Sequence, residues 1–219
     1  MRLFISRTSG VWHGTTDPVQ PKRMVNRAVA TQRAHLAREL VETLLLLGLI
    51  FVIVHFTIQS FSISDTLMGA SLQPNQSVLV NKQAYLFGGP GRGDVVVLTT
   101  DPSKPSATVA RRVVGLPGDT ISVSATAIIV NGAALKESFV RIPTGSAENS
   151  TLHAPIKLGP GQYYVLADSR IGSDNFDSRG FGPIPQNDII GKAIMVFWPM
   201  SQFHWVDTHS DDYSNIKNP

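Results

Sequence analysis

The chain has 219 residues, of which 42% are hydrophobic and 16% charged, and it contains no cysteine. This excludes a disordered polypeptide, disulfides, thiolate metal sites and cysteine nucleophiles. The net charge of +3 is unevenly placed: residues 1–40 carry seven Lys/Arg against two acids, and residues 62–219 carry twelve against thirteen. The part expected to fold therefore lacks the basic surface that nucleic acid binding requires.

Residues 1–22 hold Gly, Thr, Pro and Ser without periodicity and are expected to be a disordered basic tail. Residues 23–61 have helical composition and end in "TLLLLGLIFVIVHFTIQSF", Thr43 to Phe61. These 19 residues would span roughly 28 Å as a helix, close to the thickness of a hydrocarbon core. A single transmembrane helix is expected, which makes membrane lipid the first partner. Arg23, Arg27, Arg33 and Arg38 precede the run, and the first basic residue after it is Lys82. The positive-inside rule then puts the N-terminus in the cytoplasm and the C-terminal domain outside the cell membrane.

After Phe61 the period changes. "SVLVNK" (77–82), "DVVVLTT" (94–100), "ATVARRVVG" (107–115), "TISVSATAIIV" (120–130), "YYVLA" (163–167) and "KAIMVFW" (192–198) are short and rich in β-branched residues. Turn formers bound each of them, and "VNG" at 130–132 is a hairpin signal. No helical pattern separates the strands, so residues 62–199 are expected to be mainly antiparallel β. Residues 132–158 are weakly patterned and suggest a small inserted subdomain. Residues 200–219 are polar and are expected to be a loose tail. Arg92-Gly93-Asp94 is expected to be a tight turn leading into a strand rather than an adhesion motif.

"QSFSI" after a membrane helix, "VLVNKQAY", "GRGDVVVL", "RRVVGLPGDTI", "YYVLADSR", "DSRGFGPIP", "IIGKA" and "FWP" occur in that order. In these boxes the chain resembles the type I signal peptidase family, membrane-bound serine endopeptidases that remove signal peptides from exported proteins. The resemblance covers about residues 58 to 199. It implies an antiparallel β fold with a smaller inserted β part, a serine nucleophile with a lysine general base, and an extended substrate bound as an added strand. It implies no cofactor and no metal. Asp168, Asp174 and Asp177 have no histidine spaced to join them as ligands.

Carried over residue by residue, the resemblance puts the degenerate residue Leu67 at the nucleophile position, before Met68 and in gap-free register with Leu72 and "VLVNK". It puts Arg111 at the lysine position and Arg112 at the arginine that follows. Leucine has no nucleophilic atom, and a guanidinium stays protonated in proteins, so neither residue can perform the family's role. Asp65 lies two positions before Leu67, in the oxyanion region, where a carboxylate opposes the charge of a transition state. Met68, Arg112, Gly118, Asp119, Asp168, Ser173, Asp177 and Arg179 match structural or groove positions, with Asp177 and Arg179 expected as an ion pair. From charge alone, Arg111 is expected to pair with Asp65.

The expectation is therefore a signal-peptidase-like membrane protein without peptidase activity. It would bind signal peptides or exported pre-proteins, or regulate an active signal peptidase paralogue. The alternative is an active enzyme with a displaced nucleophile, for which Ser71 is the candidate.

Overall fold

The computed structural model describes Gly14 and residues 21–69, 71–100, 103, 107–123, 127–140, 153–170 and 176–217, with side chains of the first helix from residue 35 onward. Helix α1 runs Pro21–Thr57. Proline suits a first helical turn, where its missing N–H costs nothing. Within α1, His35–Thr57 is long and apolar enough to cross a membrane, and none of it is buried inside the protein. Arg38 and Glu42 pair one turn apart at 2.7 Å on its surface.

The apolar run does not stay helical to Phe61 as expected. Ile58–Ser62 is strand β1, which pairs antiparallel with β2 (Ser77–Asn81) from Ile58↔Asn81 to Ser62↔Ser77. Hydropathy cannot distinguish the two states, but a partner strand can: pairing satisfies the backbone groups that a helix would otherwise satisfy internally.

The remaining strands are β3 (Val95–Thr99), β4 (Thr108–Gly115), β5 (Thr120–Val123), β6 (Ile128–Val130), β7 (Ala133–Ala134), β8 (His153–Lys157), β9 (Gln162–Leu166), β10 (Ile184–Pro185), β11 (Ile189–Trp198) and β12 (His204–Trp205). A short helix α2, Ser178–Phe181, lies between β9 and β10. The large sheet has the order β1-β2-β11-β3-β4-β9-β10, with β12 added on β11. A smaller sheet has the order β7-β6-β5-β8. All these pairings are antiparallel. The smaller sheet starts at Thr120, earlier than the 132–158 insertion expected, because "TISV" pairs with β6 and β8 rather than with the large sheet. Much of the connection between β7 and β8, residues 141–152, lies outside the described residues.

The strand residues explain their places. β2 alternates, with Val78 and Val80 buried and Leu79 half-buried. β3 is buried on both faces, Val95 and Val97 in one apolar cluster and Val96 and Leu98 in another. Its uninterrupted "VVVL" is the pattern of a central strand. Asn131 and Gly132 take φ of 51° and 81° between β6 and β7, the two-residue hairpin that "VNG" predicts.

The C-terminal segment differs from the loose tail expected. Tyr213 and Ile216 are buried in the cluster under the small sheet, beside Val130, Leu135 and Tyr164. Arg112 donates to the carbonyl of Asp207, and the Ser138 hydroxyl donates to Asp212. Gly93, at φ 83°, lets Thr208 approach so closely that a Cβ there would lie 2.0 Å from the Thr208 carbonyl oxygen. Two apolar anchors and a few polar ties hold a segment whose composition is otherwise that of a loop.

Candidate functional site

Two turns and one strand build the site. The turn between β1 and β2 folds tightly: Gly69 N–H donates to Thr66 O, and Ser71 and Leu72 N–H both donate to Met68 O. Ile63, Met68 and Leu72 anchor it in the apolar cluster of β2 and β3. Ala70 lies outside the described residues. The backbone of Leu67 is tied to the segment after β9, where Ser169 N–H donates to Leu67 O at 2.8 Å.

Arg111 is fully buried on β4. Its Nε donates to the carbonyl of Phe176 at 2.8 Å and its Nη1 to the carbonyl of Ala110 at 2.5 Å. Nη1 also donates to Asp65 Oδ2 at 3.0 Å, so the expected pair exists. The other oxygen, Asp65 Oδ1, accepts the backbone N–H of Leu67 at 3.1 Å. One carboxylate thus occupies both the Arg111 guanidinium and the Leu67 amide. Leu67 carries no nucleophilic atom, and a guanidinium is no neutral base.

Arg112 faces a separate, denser network. Its Nε and Nη2 grip both oxygens of Asp168 at 2.8 Å each. Its Nη1 donates to the carbonyls of Gly93 and Asp207, and Nη2 also donates to Ser71 Oγ at 2.7 Å. Those bonds use every N–H of the guanidinium. The ring of Phe139 lies 4.5 Å from its charged carbon and itself stacks on His209. Burial alone would lower the Arg112 pKa, but hydrogen bonding and charge from Asp168 outweigh it and the pKa rises. The Ser71 hydroxyl donates to Asp168 Oδ2 at 2.5 Å while accepting from Arg112. His204 touches the Ser71 carbonyl, not its hydroxyl.

The remaining expected residues are structural neighbours rather than members of one cluster. Asp177 caps α2, accepts Arg179 N–H, and pairs with the Arg179 guanidinium at 2.7 Å and 3.0 Å. It also accepts Ala167 N–H, which fastens α2 to the end of β9. Ser173 lies outside the described residues. Gly118, at φ 91°, forms the turn that leads into the small sheet. Asp119 behind it takes the Arg92 guanidinium at 2.5 Å and 2.8 Å, together with Leu116 N–H and the Asn131 amide. Arg92 is therefore turned inward, and Asp94 is buried against Tyr85 and Lys192, as a structural turn requires.

Burial pushes the Asp119 carboxyl up, but the hydrogen bonds from Arg92, Leu116 and Asn131 outweigh it and hold the carboxyl below the usual carboxylate range. A depressed folded pKa contributes stability above the unfolded value, about 4, that is lost as pH falls below it. Asp119→Asn is expected to flatten the acid limb of the stability–pH curve without moving the neutral plateau upward. Urea titrations between pH 7 and pH 3 would check this.

Sequence reasoning expected an extended peptide to bind but named none of the residues that line a cleft in the large sheet. This cleft has a volume of about 470 Å³ and is lined by Gln59, Phe61, Val80, Val97, Thr108 and Ile190, among others. β1 forms one wall and ends the strand order of the large sheet, so its outer edge carries no partner among the described residues. Along the chain, β1 leads toward Asp65 and β4 includes Arg111, although neither residue lines the cleft. Gln59 and Phe61 of "QSFSI" fall within residues 23–61, the range expected as helix, and their apolar surroundings hide a strand that forms a cleft wall. Among the described residues, no three His, Cys, Asp or Glu side chains gather where they could hold a metal.

Known proteins align with most of this architecture. The family model described as "Signal peptidase, peptidase S26" matches residues 36–198. Signal peptidase I of Leptolyngbya laminosa is 30% identical over 154 residues, covering 67% of this chain and 72% of that protein. Signal peptidase I P of Bacillus subtilis subsp. natto is 31% identical over 165 residues, covering 73% of this chain and 87% of that protein. Signal peptidase IB of Staphylococcus aureus is 30% identical over 198 residues, covering 83% of this chain and 99% of that protein. Matched from the apolar helix to the end of β11, the chain belongs to the signal peptidase family, peptidase S26.

Proposed function

We propose that this protein binds extended segments of signal peptides in its β domain and does not cleave them. The observation that carries this is the buried Arg111 at the base position, held by Asp65 beside a leucine at the nucleophile position. A guanidinium with a carboxylate partner keeps its proton, so it cannot accept one from a hydroxyl. The displaced nucleophile Ser71 is disfavoured by its own bonds. Its lone pair faces the Arg112 guanidinium, and its proton lies on a carboxylate already engaged by that arginine.

The unpaired edge of β1 offers backbone groups to an added strand, and the cleft offers apolar pockets to alternate side chains. The basic N-terminal flank favours a cytoplasmic N-terminus and an extracytoplasmic β domain. Exposed Trp198, Met200, Phe203 and Trp205 suit contact with a membrane interface. Competition for signal peptides would make such a protein a regulator of an active paralogue.

The test uses the full chain in phospholipid vesicles with a fluorescent signal-peptide substrate. The expected result is bound peptide, no cleavage product above buffer, and no change on Ser71→Ala. Product formed by the wild type and abolished by Ser71→Ala would overturn the proposal.

A further inference from the structure

Beyond Phe61 and Thr108 of the cleft lining, the same two chain segments carry an ion pair that the protein makes with itself. Arg111 Nη1 and Leu67 N–H converge on Asp65, one donor on each oxygen, at 3.0 Å and 3.1 Å. The Arg111 side chain is 1% exposed and that of Asp65 is 29% exposed, so the guanidinium is built into the wall while the carboxylate lies toward solvent. Thr108 and Phe61, which line the cleft, stand three and four residues before Arg111 and Asp65 on the chain. Three or four residues of extended chain span at most about 10–13 Å, so a short extended peptide segment covers the distance.

We propose that the Asp65–Arg111 pair, which follows the cleft-lining residues Phe61 and Thr108 along the chain, is a receptor for the C-terminal carboxylate of an extended peptide, which displaces Asp65 from Arg111 and from the Leu67 N–H. The proposal rests on the peptide-binding function above and adds the chemical class of the ligand. A guanidinium that never loses its charge requires an anion once Asp65 leaves it. An internal peptide carbonyl offers a single neutral oxygen and leaves the buried charge uncompensated. A terminal carboxylate replaces the Asp65 carboxylate like for like, with a charge-assisted bond to the guanidinium and a second oxygen for the amide.

Asp65 is suited to leave. It lies in a turn, it reaches Leu67 only two residues away, and its carboxylate swings into water at the cost of one side-chain rotation. Within a signal-peptide segment, a free α-carboxylate arises only on the N-terminal product, once an endopeptidase has hydrolysed the chain there. The protein would therefore act after a hydrolase, on the fragment that the hydrolase leaves behind, and discriminate against the intact chain.

The experiment uses the full chain in detergent micelles and two labelled ten-residue apolar peptides that differ only at the C-terminus, one a free acid and one an amide, read by fluorescence anisotropy. The free acid is expected to bind at least ten-fold more tightly. Asp65→Asn is expected to tighten the acid several-fold and leave the amide unchanged, because the internal competitor is gone. Arg111→Gln is expected to erase the preference. Equal binding of acid and amide, in both the wild type and Asp65→Asn, would overturn the carboxylate receptor and leave peptide binding intact. Binding of neither peptide by either protein would overturn both. Asp65→Asn retains an acceptor oxygen for Arg111 and leaves the arginine itself unchanged, so the test does not depend on Arg111→Gln folding.

Discussion

Asp168→Ala is expected to destabilise the β domain by about 3–5 kcal/mol, because it strands a buried guanidinium. Arg112 and Asp168 are both essentially inaccessible and share two bonds of 2.8 Å each. The arginine also holds the carbonyls of Gly93 and Asp207 and the Ser71 hydroxyl, so one ion joins β4, the turn before β3, the C-terminal segment and the turn after β1. Among the described residues, no other carboxylate hydrogen-bonds to that guanidinium. A domain stable by about 5–15 kcal/mol would lose a large share of its margin. Ser71→Ala should cost less, about 1.5–3 kcal/mol, since it removes a neutral group bonded to both ions and leaves the ion pair intact. Urea unfolding of the full chain in detergent, followed by tryptophan fluorescence, checks both. An Asp168→Ala variant as stable as the wild type would show that the fold does not depend on this network.

The second large effect concerns chemistry. The triple replacement Asp65→Ser, Leu67→Ser and Arg111→Lys is expected to cleave a signal-peptide substrate that the wild type, on the function proposed above, leaves intact. Each single replacement is expected to stay at background, because a nucleophile without a base, or a base without a nucleophile, gives little. Burial at the Arg111 position favours a neutral lysine amine, which is what a general base requires. The double replacement that keeps Asp65 should be slower than the triple by about 10²–10³-fold. Its carboxylate would hold the lysine charged and would still occupy the Leu67 amide, the donor nearest to any oxyanion formed there. Mass spectrometry of the peptide products separates these outcomes. A double variant as fast as the triple would remove Asp65 from the account.

The amino-acid sequence by itself determined the membrane-sized apolar helix, the β character of everything after it and the family boxes. These are one-dimensional signals. Hydropathy over 19 residues, alternation in "SVLVN" and a positive-φ dipeptide in "VNG" need no distant partner. The same locality explains the misses. Ile58–Ser62 continues the apolar run without a break, and only pairing with β2 makes it a strand and a cleft wall. Residues 206–217 are polar on average, which hides the two that matter, Tyr213 and Ile216.

Tertiary structure decided the site. That Asp65 and Arg111 carry opposite charges is legible in the sequence; that they meet at 3.0 Å across a 46-residue separation is not. The identity of Leu67 is legible, but the engagement of its amide by Asp65 is not. Ser71 reads as a free hydroxyl beside the site until folding places it between Arg112 and Asp168. Chemistry is a property of residues one at a time, and the sequence states it; access, pairing and charge compensation are properties of distance, which only the folded chain defines.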